Sequence, residues 1–229
     1  MAFIFSGFNL GLPSNYFSFN IELLESLIQQ TENSIAANIE KFNTSGPETH
    51  EYDIDEEQGT FSVIDTYMGL DSSSVDLTEI FTQYFPSMMR RSTFLTIFGI
   101  FGILEHEIDK FCSHHSKILN VPFSINDLRG SGFERAHLYI KKSIGLSRST
   151  AYTELKKLIK LRNSCAHNDA KFKTNDDQDI NEICSLMHDH ADLFSQDSKQ
   201  VQFNAGSLEL LLTVFKQYIQ EIERLIERN

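Results

Sequence analysis

The sequence predicts an all-α protein: a bundle of five or six helices with an N-terminal helical extension and an acidic loop. Three observations predict it. Apolar residues recur at three- and four-residue intervals near both ends of the chain. The central run Phe94–Leu104 is eleven residues long and mostly apolar, about half of what a bilayer span needs, so it reads as a buried helix. Strand-like segments are confined to residues 61–70, ambiguous between a short strand and a turn-rich segment, and to a small strand at Val201–Phe203.

Each element follows in order. Residues 20–42 carry Ile21, Leu24, Leu27, Ile28, Ile35, Ile39 and Phe42 on one helical stripe, with Asn20 as a cap. Residues 43–60 are polar and acidic and contain Gly46 and Pro47, the composition of a linker or mobile loop. Asp76–Tyr84 predicts a short helix. Pro86 then sits where a first-turn proline belongs, and a long apolar helix follows to about Leu119. Gly99 and Gly102 inside that helix would each cost about 1 kcal/mol if exposed, so close approach of another helix is expected there. Asn120–Gly132 is a loop, and Phe133–Ile144 is a helix ended by Gly145. Ser149 or Thr150 caps a helix from Ala151 to about His167. After a polar loop at Lys171–Asp179, helices are expected at Asp179–Leu193 and, strongly amphipathic, at Ser207–Arg228. The expected division is 1–75, an amphipathic helix plus acidic loop, and 76–229, the helical domain.

The 229 residues suffice for a sizeable core. A net charge of −12 argues against general nucleic-acid coating, so any contact with RNA or DNA is expected to be local. Three cysteines without a CxxC motif indicate neither a disulfide framework nor a zinc knuckle, and the expected compartment is a reducing cytoplasm. Met1–Leu12 is apolar but lacks the lysine or arginine of a signal peptide, and no membrane association is expected.

The charge is unevenly spread. Arg129–Lys173 holds eleven Lys/Arg against Glu134, Glu154 and Asp169, a net of +8, which leaves −20 for the remainder. Inside this basic island lies Leu161-Arg162-Asn163-Ser164-Cys165-Ala166-His167. A permanently charged guanidinium and an imidazole titrating near neutrality suit phosphate chemistry, one holding an oxyanion while the other moves a proton. Five positions on a helix place Arg162 and His167 about 140° apart, which does not aim both at one phosphate. The length of Arg162 and the last-turn position of His167 help, and a helix C-terminus stabilises positive charge. In-line cleavage by a 2′-hydroxyl wants a base and an acid on opposite sides of phosphorus, and a two-fold dimer supplies two histidines.

Arg162 to His167 resembles the R-x4-6-H signature of HEPN domains, including their preference for Asn, Asp or His directly after the arginine. Phe85-Pro86 through Ser92 and Ile103–Cys112 look like the long helix that precedes the motif in many bacterial HEPN proteins, and Asp127–Arg135 and Leu155–Asn168 look like the segments that follow. The resemblance covers residues 76–228. It implies a HEPN-like helical bundle that dimerises, with two motifs meeting in a cleft. It further implies a metal-independent endoribonuclease without cofactors, serving as a toxin or anti-phage effector. By the resemblance His167 is general base or acid, Arg162 neutralises the phosphorane, Asn163 orients the histidine or binds phosphate, and Glu105 comes to the site from the preceding helix. Lys160, Lys157, Arg129 and Lys171 are the expected RNA- or phosphate-binding cations. RNA, a second copy of the chain and a possible cognate antitoxin or nucleotidyltransferase are the implied partners. The Tyr-x-Tyr segment of members controlled by AMPylation is absent. The alternative is a non-catalytic HEPN module binding RNA, nucleotide or a partner protein.

Other chemistry is weaker. Cys165 and His167 face about 200° apart on a helix, so a thiol nucleophile is not indicated. His188 with Asp192, and His114 with His115, do not make a three- or four-ligand metal set. The acidic stretch 48–57 is either solvated or a negative flap that competes with RNA for the basic cleft.

Overall fold

The computed structural model describes residues 13–55, 60–118, 121–130 and 132–226. It is mostly helical, as expected; the all-α class is corrected by two small antiparallel sheets, each of which contains one of the strand segments expected near residues 61–70 and 201–203. Helix α1 spans Pro13–Ser45 and starts earlier than residue 20, so Asn20 lies inside the helix and caps nothing. The reason is Phe17, which extends the apolar stripe through Leu24, Ile28 and Ile35 and is 1% exposed.

The acidic segment read as a loop is a strand. β1 (Glu48–Asp55) pairs antiparallel with β2 (Thr60–Tyr67), and β3 (Leu70–Asp71) closes the sheet in the order β1-β2-β3. Alternation at His50, Tyr52 and Ile54 is the strand signal, and interleaved carboxylates hid it. Cross-strand bonds reinforce the register: Thr49 Oγ1 donates to Asp65 Oδ1 at 2.7 Å, and His50 Nε2 meets Thr66 Oγ1 at 3.0 Å. Met68 and Gly69, both at positive φ, make the two-residue turn between β2 and β3. Tyr67 packs edge-on against Phe42 of α1 and against Phe81.

The expected break before Pro86 does not occur. α2 (Leu77–Glu79), a π-helical turn (Ile80–Tyr84) and α3 (Phe85–Ile118) form one continuous path. Pro86 has no N–H to give residue 82, and the wider turn, in which the Phe85 N–H donates to the Ile80 carbonyl, carries the helix past it. Gly99 also departs from expectation: it is exposed, and a side chain there would meet nothing of this chain within 4 Å. The surroundings of Gly102 lie outside the described residues.

α4 (Gly132–Ser143) ends at Gly145, whose φ of +85° suits glycine. α5 (Thr150–His167), α6 (Asn181–Asp189), the hairpin of β4 (Phe194–Asp197) and β5 (Gln200–Phe203), and α7 (Ser207–Ile226) complete the chain. One core joins Phe17 and Leu24 of α1, Phe94 of α3, Leu158 of α5, Leu186 of α6 and Phe215 of α7. α1 therefore belongs to the same bundle as the residues after 76. Arg90, buried on α3, ties three elements: Nε and Nη2 donate to Glu32 of α1 at 2.8 and 2.7 Å, and Nη1 donates to the Phe203 carbonyl of β5.

Candidate functional site

α5 carries the motif. Ser149 caps it, its Oγ accepting from the Tyr152 N–H at 2.8 Å. Ala151, Leu155, Leu158, Leu161 and Ser164 are buried along its inner stripe. The opposite face exposes Lys156, Lys160, Asn163 and His167. Arg162 stands on the flank toward α3. Its guanidinium carbon lies 6.0 Å from the centre of the Phe98 ring, and Nη1 donates to Asn163 Oδ1 at 3.0 Å. The helix runs unbroken through His167, so the offset of about 140° between the two motif side chains stands. Within one chain the motif does not converge on a single point.

His167 occupies the last turn, exposed, with no hydrogen bond or ion pair among the described residues. The turn beneath it is firmly held. The Ser164 carbonyl accepts from the N–H groups of Asn168 (2.7 Å) and Ala170 (3.1 Å), and Asn168 Nδ2 donates to the Lys173 carbonyl at 3.0 Å. Buried Ser164 Oγ donates to the Lys171 carbonyl. Asp169, at φ +52°, receives Arg91 Nη1 of α3 at 2.9 Å and Gln200 Nε2 of β5 on its two carboxylate oxygens. Arg91, Asp169 and Gln200 were missed in the sequence, where 78 and 31 residues separate the partners; no local pattern marks them.

A groove of about 850 Å³ runs along α5, walled by Phe98, Phe133 and Ile159 and reached by Lys156, Lys160, Arg162 and Asn163. Glu134 and Glu182 line it as well, so its charge is mixed. Of the other expected cations, Lys157 also lines the groove, but with its charge engaged. Lys157 is bound between Glu154 (2.9 Å) and Asp189 (2.7 Å), and hydrogen bonds from Lys157, then His188 and Ser185, hold the Asp189 carboxyl well below the usual range. Arg129 is exposed in the loop before α4 and does not line the groove. Lys171 is half-buried past the end of α5, bridged to Gln200 through its backbone. The side chain of Glu105, on α3, lies outside the described residues, as do those of Glu107, His114 and His115.

Burial pushes the Cys165 thiol up to about 12, which leaves it protonated and unsuited to nucleophilic attack. Behind the Phe133 end of the groove, His137 stacks on Tyr152 with rings 3.5 Å apart and 4° from parallel, and its Nδ1 meets Tyr218 Oη at 2.9 Å. Burial, then the charges of Lys141 and Lys156, lower His137 to about 4, so it is neutral at pH 7. Among the described residues, no three His, Cys, Asp or Glu side chains gather as a metal would need, and no helix is long and apolar enough to cross a membrane. No protein-family model, curated protein or solved structure matches this chain.

Proposed function

We propose that this chain is an endoribonuclease of the HEPN type, acting in the cytoplasm as a toxin or anti-phage effector. The observation that carries the reading is the end of α5: an exposed His167, unengaged among the described residues, on a fixed turn about one and a half turns beyond Arg162 and Asn163, which line a groove where cations outnumber carboxylates. In this reading His167 is general base or acid on the 2′-hydroxyl or the leaving 5′-oxygen, Arg162 neutralises the phosphorane, and Asn163 holds the guanidinium in place. Glu105 assists from α3, and Lys160 draws in the strand. The internal 2′-hydroxyl is the nucleophile, so the products are a 2′,3′-cyclic phosphate and a 5′-hydroxyl.

The offset of Arg162 and His167 calls for a second copy across a two-fold axis. The outer face of α3 suits that role: Phe85, Met88, Ser92, Thr96 and Gly99 are exposed and uncharged, and Gly99 directly follows Phe98, the ring that Arg162 covers. The same offset favours the second reading, a non-catalytic module that binds RNA, nucleotide or a partner protein, if the chain remains a monomer. An antitoxin or nucleotidyltransferase is the expected regulator of the catalytic form.

The test is cleavage of a defined single-stranded RNA. Activity is expected to persist in EDTA, to spare DNA, and to stop when a 2′-deoxy residue is placed at the cut site. His167→Ala is expected to lose roughly 10²–10⁴-fold in rate, the scale of general acid–base catalysis. Full activity in that variant, or activity that requires Mg²⁺ or Mn²⁺, would overturn the proposal.

A further inference from the structure

Among the described residues, the ring contacts that hold the β1–β2 hairpin, or arm, to the bundle lie at its base. Phe61, Val63, Asp65 and Tyr67 alternate onto one face of β2. At the base that face is covered, with Tyr67 against Phe42 and Phe81. Beyond it the face is bare: Phe61 is 56% and Val63 52% exposed. Beyond the two residues of β2 that pair with β3 only two strands remain, a marginal arrangement in water, and an exposed aromatic beside an exposed branched side chain adds to the cost. The sequences of β1 and β2 hold five carboxylates, Glu48, Glu51, Asp53, Asp55 and Asp65, and no lysine or arginine.

The surface that complements this arm in both respects is the α5 groove. Its Lys156, Lys160 and Arg162 outnumber its carboxylates, Glu134 and Glu182, and Phe98, Phe133 and Ile159 are there for apolar side chains. The lengths also agree. From Thr153 to Asn163 the groove follows about 15 Å of helix, the span of four or five strand residues at about 3.3 Å each. Among the described residues no hydrogen bond, ion pair or ring contact joins the arm to α5 of its own chain, and its base is anchored on α1 and the π turn.

We propose that the arm of one copy docks in the α5 groove of a second copy, with Phe61 and Val63 against its aromatic walls and Glu51 and Asp65 toward Lys156 and Lys160. This makes the groove a self-interaction surface. If the groove also receives RNA, which rests on the reading above, the arm and the substrate strand exclude one another.

The experiment uses full-length protein with p-benzoylphenylalanine in place of Phe61, an exposed position where the larger ring is tolerated. It is mixed with nitrogen-15-labelled wild-type protein and irradiated, and the joined peptides are identified by mass spectrometry. RNA is absent, so failure here leaves the ribonuclease reading standing, and failure to cleave RNA leaves this result standing. The expected product joins residue 61 to a labelled peptide from residues 150–163. Its yield is expected to fall when the labelled partner carries K156E/K160E and to recover when the arm also carries E51K/D65K. Cross-links confined to the arm's own chain, cross-links to another surface, no joined chains at all, or a yield indifferent to K156E/K160E would each overturn the proposal.

Discussion

Arg162 and Asn163 form a unit in which the amide oxygen fixes one edge of the guanidinium and Phe98 supports its face. Lysine has neither the planar fork nor the stacking surface, so Arg162→Lys is expected to lose RNA cleavage while keeping its melting temperature; single-turnover kinetics beside a thermal melt checks this. A different residue adds to the acid sensitivity of the fold. His137 has a folded-state value of about 4 against 6.5 in the unfolded chain, so the unfolded state binds the extra proton between those values. Its contribution is present above pH 6.5 and is lost as pH falls toward 4. His137→Phe keeps a ring on Tyr152 and removes the titration, so its melting temperature is expected to decline less than that of wild type between pH 6.5 and 5. Parallel slopes in that window would refute the assignment. Arg162, Asn163 and His167 were legible in the sequence because a short motif is local. The Arg91–Asp169–Gln200 clamp was not, because its members meet only in the folded chain.

At the scale of elements, the helices whose apolar stripes face the core were legible, α5 and α7 most clearly, since a helix declares its buried face by spacing alone. Two elements were not. Pro86 reads as a helix start in sequence, yet a π turn lets the helix continue, a solution that leaves no sequence period. β1 reads as a disordered acidic run because its carboxylates outnumber its apolar residues, and only pairing with β2 gives it structure. The attachment of that hairpin is local: Tyr67, Phe42 and Phe81 share ring contacts of 4.7–5.3 Å. Tyr67→Ala is therefore expected to speed amide hydrogen exchange across residues 48–67 while leaving α5 and α7 protected. Equal loss of protection in the bundle would show that the hairpin is part of the global unit.

At the scale of the whole molecule, the proposed pairing of two motifs rests on the exposed face of α3. Gly99 faces open space and an alanine or larger residue would favour the helix, by about 1 kcal/mol for alanine. Gly99→Arg is expected to leave the melting temperature unchanged or raised and to weaken self-association in sedimentation. A variant that sediments as wild type would place the two-fold axis elsewhere. The clamp at the end of α5 also has a consequence in time. Protein chains are made from the N-terminus, and the partners of Asp169 are residue 91, already emerged when α5 is made, and residue 200, still to come. The turn that presents His167 thus acquires its second anchor only after Gln200 has been synthesised. If the chain is the ribonuclease proposed above, the turn that carries its histidine would stay half-anchored through the synthesis of α5 and α6, until β5 is made.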